Sequence, residues 1–195
     1  METSANHVHS HGMHANHNLT GFIIFLCSES VIFLAFFSGY SLLKLNALDW
    51  LPQGIEGLEW QTPLINTFVL VSSSGTIYLA ERQMARQNIW GFRGWWLATM
   101  GLGAYFLWGQ AVEWGGLKFG FTSGTFGGTF YLLTGFHGLH VLTGVLLMAL
   151  MLFKSFIPNN YSGGEQGIQA TSLFWHFVDV IWIILFVLIY VWQRS

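Results

Sequence analysis

Charged residues are scarce in this sequence. Asp, Glu, Lys and Arg make up 8% of its 195 residues, whereas soluble domains carry about 25%. So few charges cannot cover a water-facing surface of this size, which excludes an ordinary soluble domain. The net charge of -2 at pH 7 and the lack of a basic cluster also exclude a nucleic-acid partner.

The sequence also lacks paired cysteines, an N-terminal basic segment and several catalytic motifs, and each of these absences excludes a type of protein or feature. Cys27 is the single cysteine, so no disulfide can form within the chain. No Lys or Arg precedes Lys44, so the basic start of a signal peptide is missing and insertion is expected to begin with the first apolar helix. The sequence also has no phosphate-binding glycine loop, Cys-x-x-Cys pair, nucleophile elbow or His-Glu-x-x-His motif.

What the chain has is apolar and aromatic. Hydrophobic residues make up 53% of it and aromatic residues 17%. Since about 20 apolar residues cross a bilayer, the pattern predicts an all-α integral membrane bundle of five transmembrane helices. These spans, within a domain of residues 19–195, are 19–43, 64–79, 94–114, 126–153 and 171–192.

Residues 1–18 are polar and precede the first span. They show no helical or strand periodicity, which predicts a disordered, His-rich tail. A solvated tail is favoured over a loose metal site. Its five histidines are His7, His9, His11, His14 and His17.

The distribution of basic residues between the loops predicts the orientation of the chain in the membrane. Three arginines fall in the short loop after the second span, and Lys154 opens the loop after the fourth. The other side has three basic residues and also acidic ones. We therefore expect the N-terminus inside and the C-terminus outside.

Glu29 lies inside the first span, where an unpaired charge costs several kcal/mol. At 1.5 Å per residue it is roughly 15 Å deep, and no basic residue of its own helix is within reach. We expect it to be protonated or bonded to a neighbouring helix. A site of proton exchange, a subunit anchor and a carboxyl satisfied within the bundle all remain open.

Two i, i+3 pairs stand on later spans: His137 with His140, and His176 with Asp179. Each pair shares one helix face, and together they resemble half of a metal-binding bundle. Metal-binding bundles of this kind use about four carboxylates as ligands. Besides Asp179, this sequence offers only Glu113 or Glu29 at a similar depth, so a metal site would lack negative charge. Hydrogen bonds between helices, from His137 or His140 to Asp179 or to a backbone carbonyl, are therefore favoured over metal ligation.

Several segments, taken together, carry a family resemblance. They include Phe174-Trp-His-Phe-Val-Asp-Val-Ile-Trp, Thr134-Gly-Phe-His-Gly-Leu-His-Val, the Ser28-Glu29 pair and Gly103-Ala-Tyr-Phe-Leu-Trp-Gly-Gln-Ala-Val-Glu113. From about Gly21 onward the chain resembles cytochrome c oxidase subunit III of the heme-copper oxidases. Larger members have seven helices, so five helices match the short bacterial form.

The resemblance implies an accessory subunit of an aa3-type cytochrome c oxidase of aerobic respiration. Heme and copper would reside in partner subunits I and II, and this chain would have no cofactor of its own. It would stabilise subunit I, support proton uptake and bind phospholipid, with Glu29 as the family's buried glutamate and Lys154 against a lipid headgroup. The membrane would be a bacterial plasma membrane or an internal respiratory membrane such as a thylakoid.

Two alternatives stay open. One is subunit III of a quinol oxidase, or the related protein of a nitric oxide reductase. The other is a membrane enzyme that uses His137, His140, His176 and Asp179 as metal ligands.

Overall fold

A computed structural model describes residues 5–52, 54–55, 57–157 and 166–192, with side chains from Leu19 onward. The described part contains helices and no strand. The helices are α1 (Ala5–Asn46), α2 (Gln61–Ala85), α3 (Ile89–Gly116), α4 (Gly124–Lys154) and α5 (Gln166–Phe186), and a π-helical turn, Val187–Val191, continues α5.

Four of these helices are long and apolar enough to cross a membrane, which makes the chain a membrane protein. They are α1 from Leu19, α2, α4, and α5 with its π-helical turn. The third predicted span corresponds to α3, which is not among them. Its 28 residues include five tryptophans and seven glycines, and these residue types add little to mean hydropathy.

The helices extend beyond the predicted spans because the backbone stays helical past the apolar run. The difference is largest at the N-terminus, where α1 is already helical at Ala5 although residues 1–18 were predicted to be a disordered tail. No proline occurs before Pro52 to interrupt the helix. The side chains of residues 1–18, including the five histidines, lie outside the described residues.

Of the four helices that could cross a membrane, α5 is the most buried, with 56% of its apolar stretch inside the chain. Helices α2, α3, α4 and α5 pack in a closed ring of neighbours, α2 on α3, α3 on α4, α4 on α5 and α5 on α2, while α1 lies outside this ring against α4 and α5. The interior is largely aromatic; fully buried rings include Phe33, Phe92, Trp96, Phe106, Phe130, Trp175, Trp182 and Tyr190. Trp96 is therefore a core residue.

Trp175 of α5 fixes the distance to its neighbouring helices. A Cβ added to Gly103 of α3 would lie 2.5 Å from the Trp175 ring, and one added to Gly144 of α4 would lie 2.7 Å from it. The ring thus occupies the space that both glycines leave free. Small residues allow such close approach where no hydrophobic force drives helices together in lipid.

This packing predicts that Gly144→Ala destabilises the protein by about 1–3 kcal/mol, the usual cost of overpacking. The matched control is Gly138→Ala on the same helix, where a Cβ meets nothing within 4 Å. Thermal unfolding of the purified protein in detergent measures both variants. Equal stability of the two would contradict the close contact.

Candidate functional site: paired polar groups inside the bundle

Glu29 and His140 tie α1 to α4. The carboxyl oxygen Oε2 of Glu29 lies 3.2 Å from Nε2 of His140, and the two side chains are 17% and 13% exposed. The other ring nitrogen, Nδ1, donates to the backbone carbonyl of Phe136 at 2.8 Å. The ring of Phe33 packs edge-on against the imidazole. A bond from Glu29 to a neighbouring helix was one of the two states expected from the sequence, and the sequence did not identify His140 as its partner.

His137 does not share this contact, although it lies one turn away on α4. It is fully buried, and neither of its ring nitrogens has a hydrogen-bond partner among the described residues. Its ring stacks on Trp182 with 4.9 Å between centroids and meets the edge of Phe106. His137 therefore packs as an aromatic ring, and the predicted polar contact is not found.

His176 and Asp179 face α2 and not the histidines of α4. The hydroxyl of Ser74 lies 2.9 Å from Nδ1 of His176 and also donates to Oδ2 of Asp179. One serine therefore joins both members of the His-x-x-Asp pair. The prediction that Asp179 pairs with His137 or His140 is corrected, because α5 turns its polar face toward the serines of α2.

Indole groups form a second set of contacts between helices. Trp175 Nε1 donates to the Ser73 hydroxyl at 2.7 Å, and Trp182 Nε1 donates to the Thr67 hydroxyl at 2.9 Å. A buried indole N–H needs an acceptor, so the hydroxyl side chains of α2 are placed where α5 needs them. Sequence reasoning missed these partners, although tryptophans inside an apolar helix were a signal that acceptors lie opposite.

Glu113 lies at the end of α3, apart from the histidines. Its carboxyl group accepts hydrogen bonds from the Tyr190 hydroxyl at 2.7 Å and from the Gln110 amide at 3.1 Å. With Glu59 and Lys118 it lines a cleft between the α1–α2 and α3–α4 connections. Its contact to Tyr190 joins α3 to the last turn of the chain's final helix.

Cationic side chains hold helix ends together. Arg93 of α3 donates to the hydroxyl and the carbonyl of Ser155, at 3.1 and 2.5 Å, where α4 ends. Lys44 of α1 donates to the backbone carbonyl of Trp192 at 2.6 Å. Carbonyls at a helix C-terminus lack partners within the helix, so both cations satisfy them. Lys154, the last residue of α4, is exposed.

The polar side chains are therefore grouped in pairs and threes on separate helix contacts. Among the described residues, no group of three or more His, Cys, Asp or Glu is arranged to hold a metal ion. The arrangement defines a class: a helical membrane bundle whose ionisable side chains join one helix to another.

Comparison with known proteins identifies the family within this class. A family model described as cytochrome c oxidase subunit III matches residues 1–194. Cytochrome c oxidase subunit 3 of Thermostichus vulcanus is 38% identical over 98% of this chain and 94% of its own length. The Synechocystis and zebrafish (Danio rerio) proteins of the same name are 39% and 37% identical, over 93% and 88% of this chain and 78% and 68% of their own lengths.

The chain belongs to the cytochrome c oxidase subunit III family. This confirms the resemblance carried by the segments around Thr134 and Phe174. The related proteins are parts of an oxidoreductase complex, so respiration and electron transport follow from the family.

The Ser74 contacts predict that Ser74→Ala destabilises the protein, since it leaves Asp179 and His176 without this partner. Loss of a hydrogen bond to a buried polar group costs about 1–3 kcal/mol. Ser72→Ala is the control, because Ser72 is exposed and, within the part of the chain that the structure describes, bonds to the Phe68 carbonyl of its own helix. Thermal unfolding in detergent compares them, and an equal loss in both variants would argue against the Ser74 bridge.

Proposed function

We propose that this chain is the accessory subunit III of an aa3-type cytochrome c oxidase and holds no redox centre itself. Family membership over the whole chain supports the oxidase assignment. The observation that carries the accessory role is the use of the ionisable side chains: Glu29, Glu113, His176 and Asp179 each bond to a side chain of another helix. Side chains engaged in this way hold the bundle together.

The surface of α1 supports a role beside other membrane components. Only 11% of an apolar 18-residue stretch of α1 is buried within the chain. Large apolar side chains cover its outer face, among them Ile24, Val31, Leu34 and Leu42. We assign this face to subunit I and to phospholipid, and Lys154, exposed at the end of α4, to a lipid headgroup. Through this face the chain would stabilise subunit I, and Glu29 would support proton uptake.

The proposed membrane is a bacterial plasma membrane or an internal respiratory membrane, as the cyanobacterial relatives favour. In it the N-terminus lies in the cytoplasm and the C-terminus outside. This orientation needs α3 as a fifth span. Two observations support α3 as a membrane span. It packs between α2 and α4, both of which are long and apolar enough to cross a membrane. Its 28 residues would extend about 42 Å at 1.5 Å per residue.

Five spans place the two termini on opposite sides of the membrane, whereas four would place them on one side. Epitope tags at either end of the chain, expressed in a bacterium that has a plasma membrane and no internal membranes, distinguish these arrangements when they are probed with protease in intact and in opened spheroplasts. We expect the C-terminal tag to be cleaved in intact spheroplasts and the N-terminal tag only after opening. Cleavage of both tags, or of neither, in intact spheroplasts would contradict α3 as a span.

The oxidase assignment predicts which proteins accompany the chain during purification in mild detergent. We expect a heme-bearing subunit I and a subunit II whose Cys, His and Met residues bind copper and so mark cytochrome c as the donor. A partner complex without that copper cluster would identify the quinol oxidase or nitric oxide reductase branch and overturn the proposal.

Metal analysis of the separated chain tests the rival membrane enzyme. We expect no stoichiometric iron or zinc after removal of residues 2–18, a truncation that controls for adventitious metal on the tail histidines. Stoichiometric metal in the truncated chain that is lost in His176→Ala would contradict an accessory subunit.

A further inference from the structure

The helical start of α1 gives the histidines of the N-terminal segment a fixed spacing. Helix α1 begins at Ala5 and runs without a break into the apolar span. A disordered tail would present its five histidines as independent groups. A helix instead brings residues that are three or four positions apart onto one face, where they are neighbours.

Four of these five histidines share one face of the helix. Successive members are four, three and three residues apart, and at about 100° per residue they fall within about a third of the helix circumference. His9 is not one of them, because no other histidine is three or four residues from it. The histidine face consists of His7, His11, His14 and His17.

Two histidines at this spacing can act together as ligands of one metal ion. Helix residues three or four apart have Cβ atoms about 5–6 Å apart, and zinc lies about 2 Å from each imidazole nitrogen that binds it. The i, i+4 pair of a His-Glu-x-x-His helix binds zinc in this way. A neutral imidazole offers one nitrogen lone pair, and Zn²⁺, Cu²⁺ and Ni²⁺ all accept imidazole as a ligand.

The sequence around the histidine face is compatible with a bound dication. No Lys or Arg precedes Lys44, so no basic side chain of the segment would repel the ion. The face also precedes the apolar span, which starts at Leu19. Water can therefore fill the coordination positions that two imidazoles leave open on a four-coordinate ion such as zinc.

We propose that the histidine face binds a divalent transition-metal ion through two neighbouring imidazoles. Each imidazole donates one nitrogen lone pair to the ion, and no electron is transferred. The bound ion links successive turns and so stabilises the start of α1, where Asn, Ser and Gly residues are weak helix formers. The inference goes beyond an accessory role and holds whichever proteins accompany the chain.

Equilibrium dialysis against buffered Zn²⁺ tests the site on the detergent-purified protein with the subunits that travel with it. Bound zinc is counted by elemental mass spectrometry. The same complex without residues 2–18 measures the zinc that binds elsewhere, and the native protein should bind at least one ion more. Equal zinc in both complexes would mean an adventitious ion only and would overturn the proposal.

Two double variants separate a helical site from loose binding by unpaired histidines. Each variant leaves three histidines in the segment. His11→Gln with His14→Gln leaves no two of them three or four residues apart, whereas His7→Gln with His9→Gln keeps His11, His14 and His17 at that spacing. All these positions precede the apolar span, so the subunit content and visible spectrum should stay unchanged in both variants.

We expect zinc affinity to fall about tenfold or more in the first variant, because two linked ligands bind far better than one, and to stay near native in the second. Equal affinities in the two variants would show binding without helical spacing and would overturn the proposal. Hydrogen exchange of the backbone amides of residues 5–18 provides a second readout. Zinc should slow this exchange in the native protein and not in the first variant, and unchanged exchange in the native protein would also contradict the site.

Discussion

The inability of hydrocarbon to solvate a polar group is the constraint on which this structure depends. Each buried donor or acceptor left unpaired costs several kcal/mol in lipid, which favours pairing between polar side chains. They pair between helices: Glu29 with His140, Ser74 with His176 and Asp179, and Tyr190 with Glu113. These contacts fix which helices are neighbours and how they are rotated.

The final helix shows how this constraint and close packing act together. Trp175 fills the space left by Gly103 and Gly144, while its indole N–H bonds to Ser73. One side chain thereby sets the spacing of α5 to α3 and α4 and its register on α2. Because α5 also contacts α1, its position determines the arrangement of the whole bundle, including the surface that a neighbouring subunit would meet.

The fold class could be predicted from apolar stretches because a bilayer demands about 20 such residues per helix. The helix ends and the helical start of α1 could not be predicted in this way, because backbone hydrogen bonds continue into polar sequence. The site was predictable only in part. The i, i+3 spacing indicated that His176 and Asp179 share a helix face. Whether that face meets Ser74 or His140 depends on the rotation of the helix, which cannot be derived from residue spacing. His137 shows the same limit, because its burial against Trp182 follows from tertiary packing alone.

A double-mutant cycle on Glu29 and His140 tests the central claim most directly. The account predicts that Glu29→Leu and His140→Phe each destabilise the protein in detergent by about 1–3 kcal/mol, because each leaves the other side chain unpaired, whereas the double variant regains most of that loss. Thermal unfolding provides all four values. A double variant that loses the sum of the single effects would contradict the account, since the two side chains would then contribute independently.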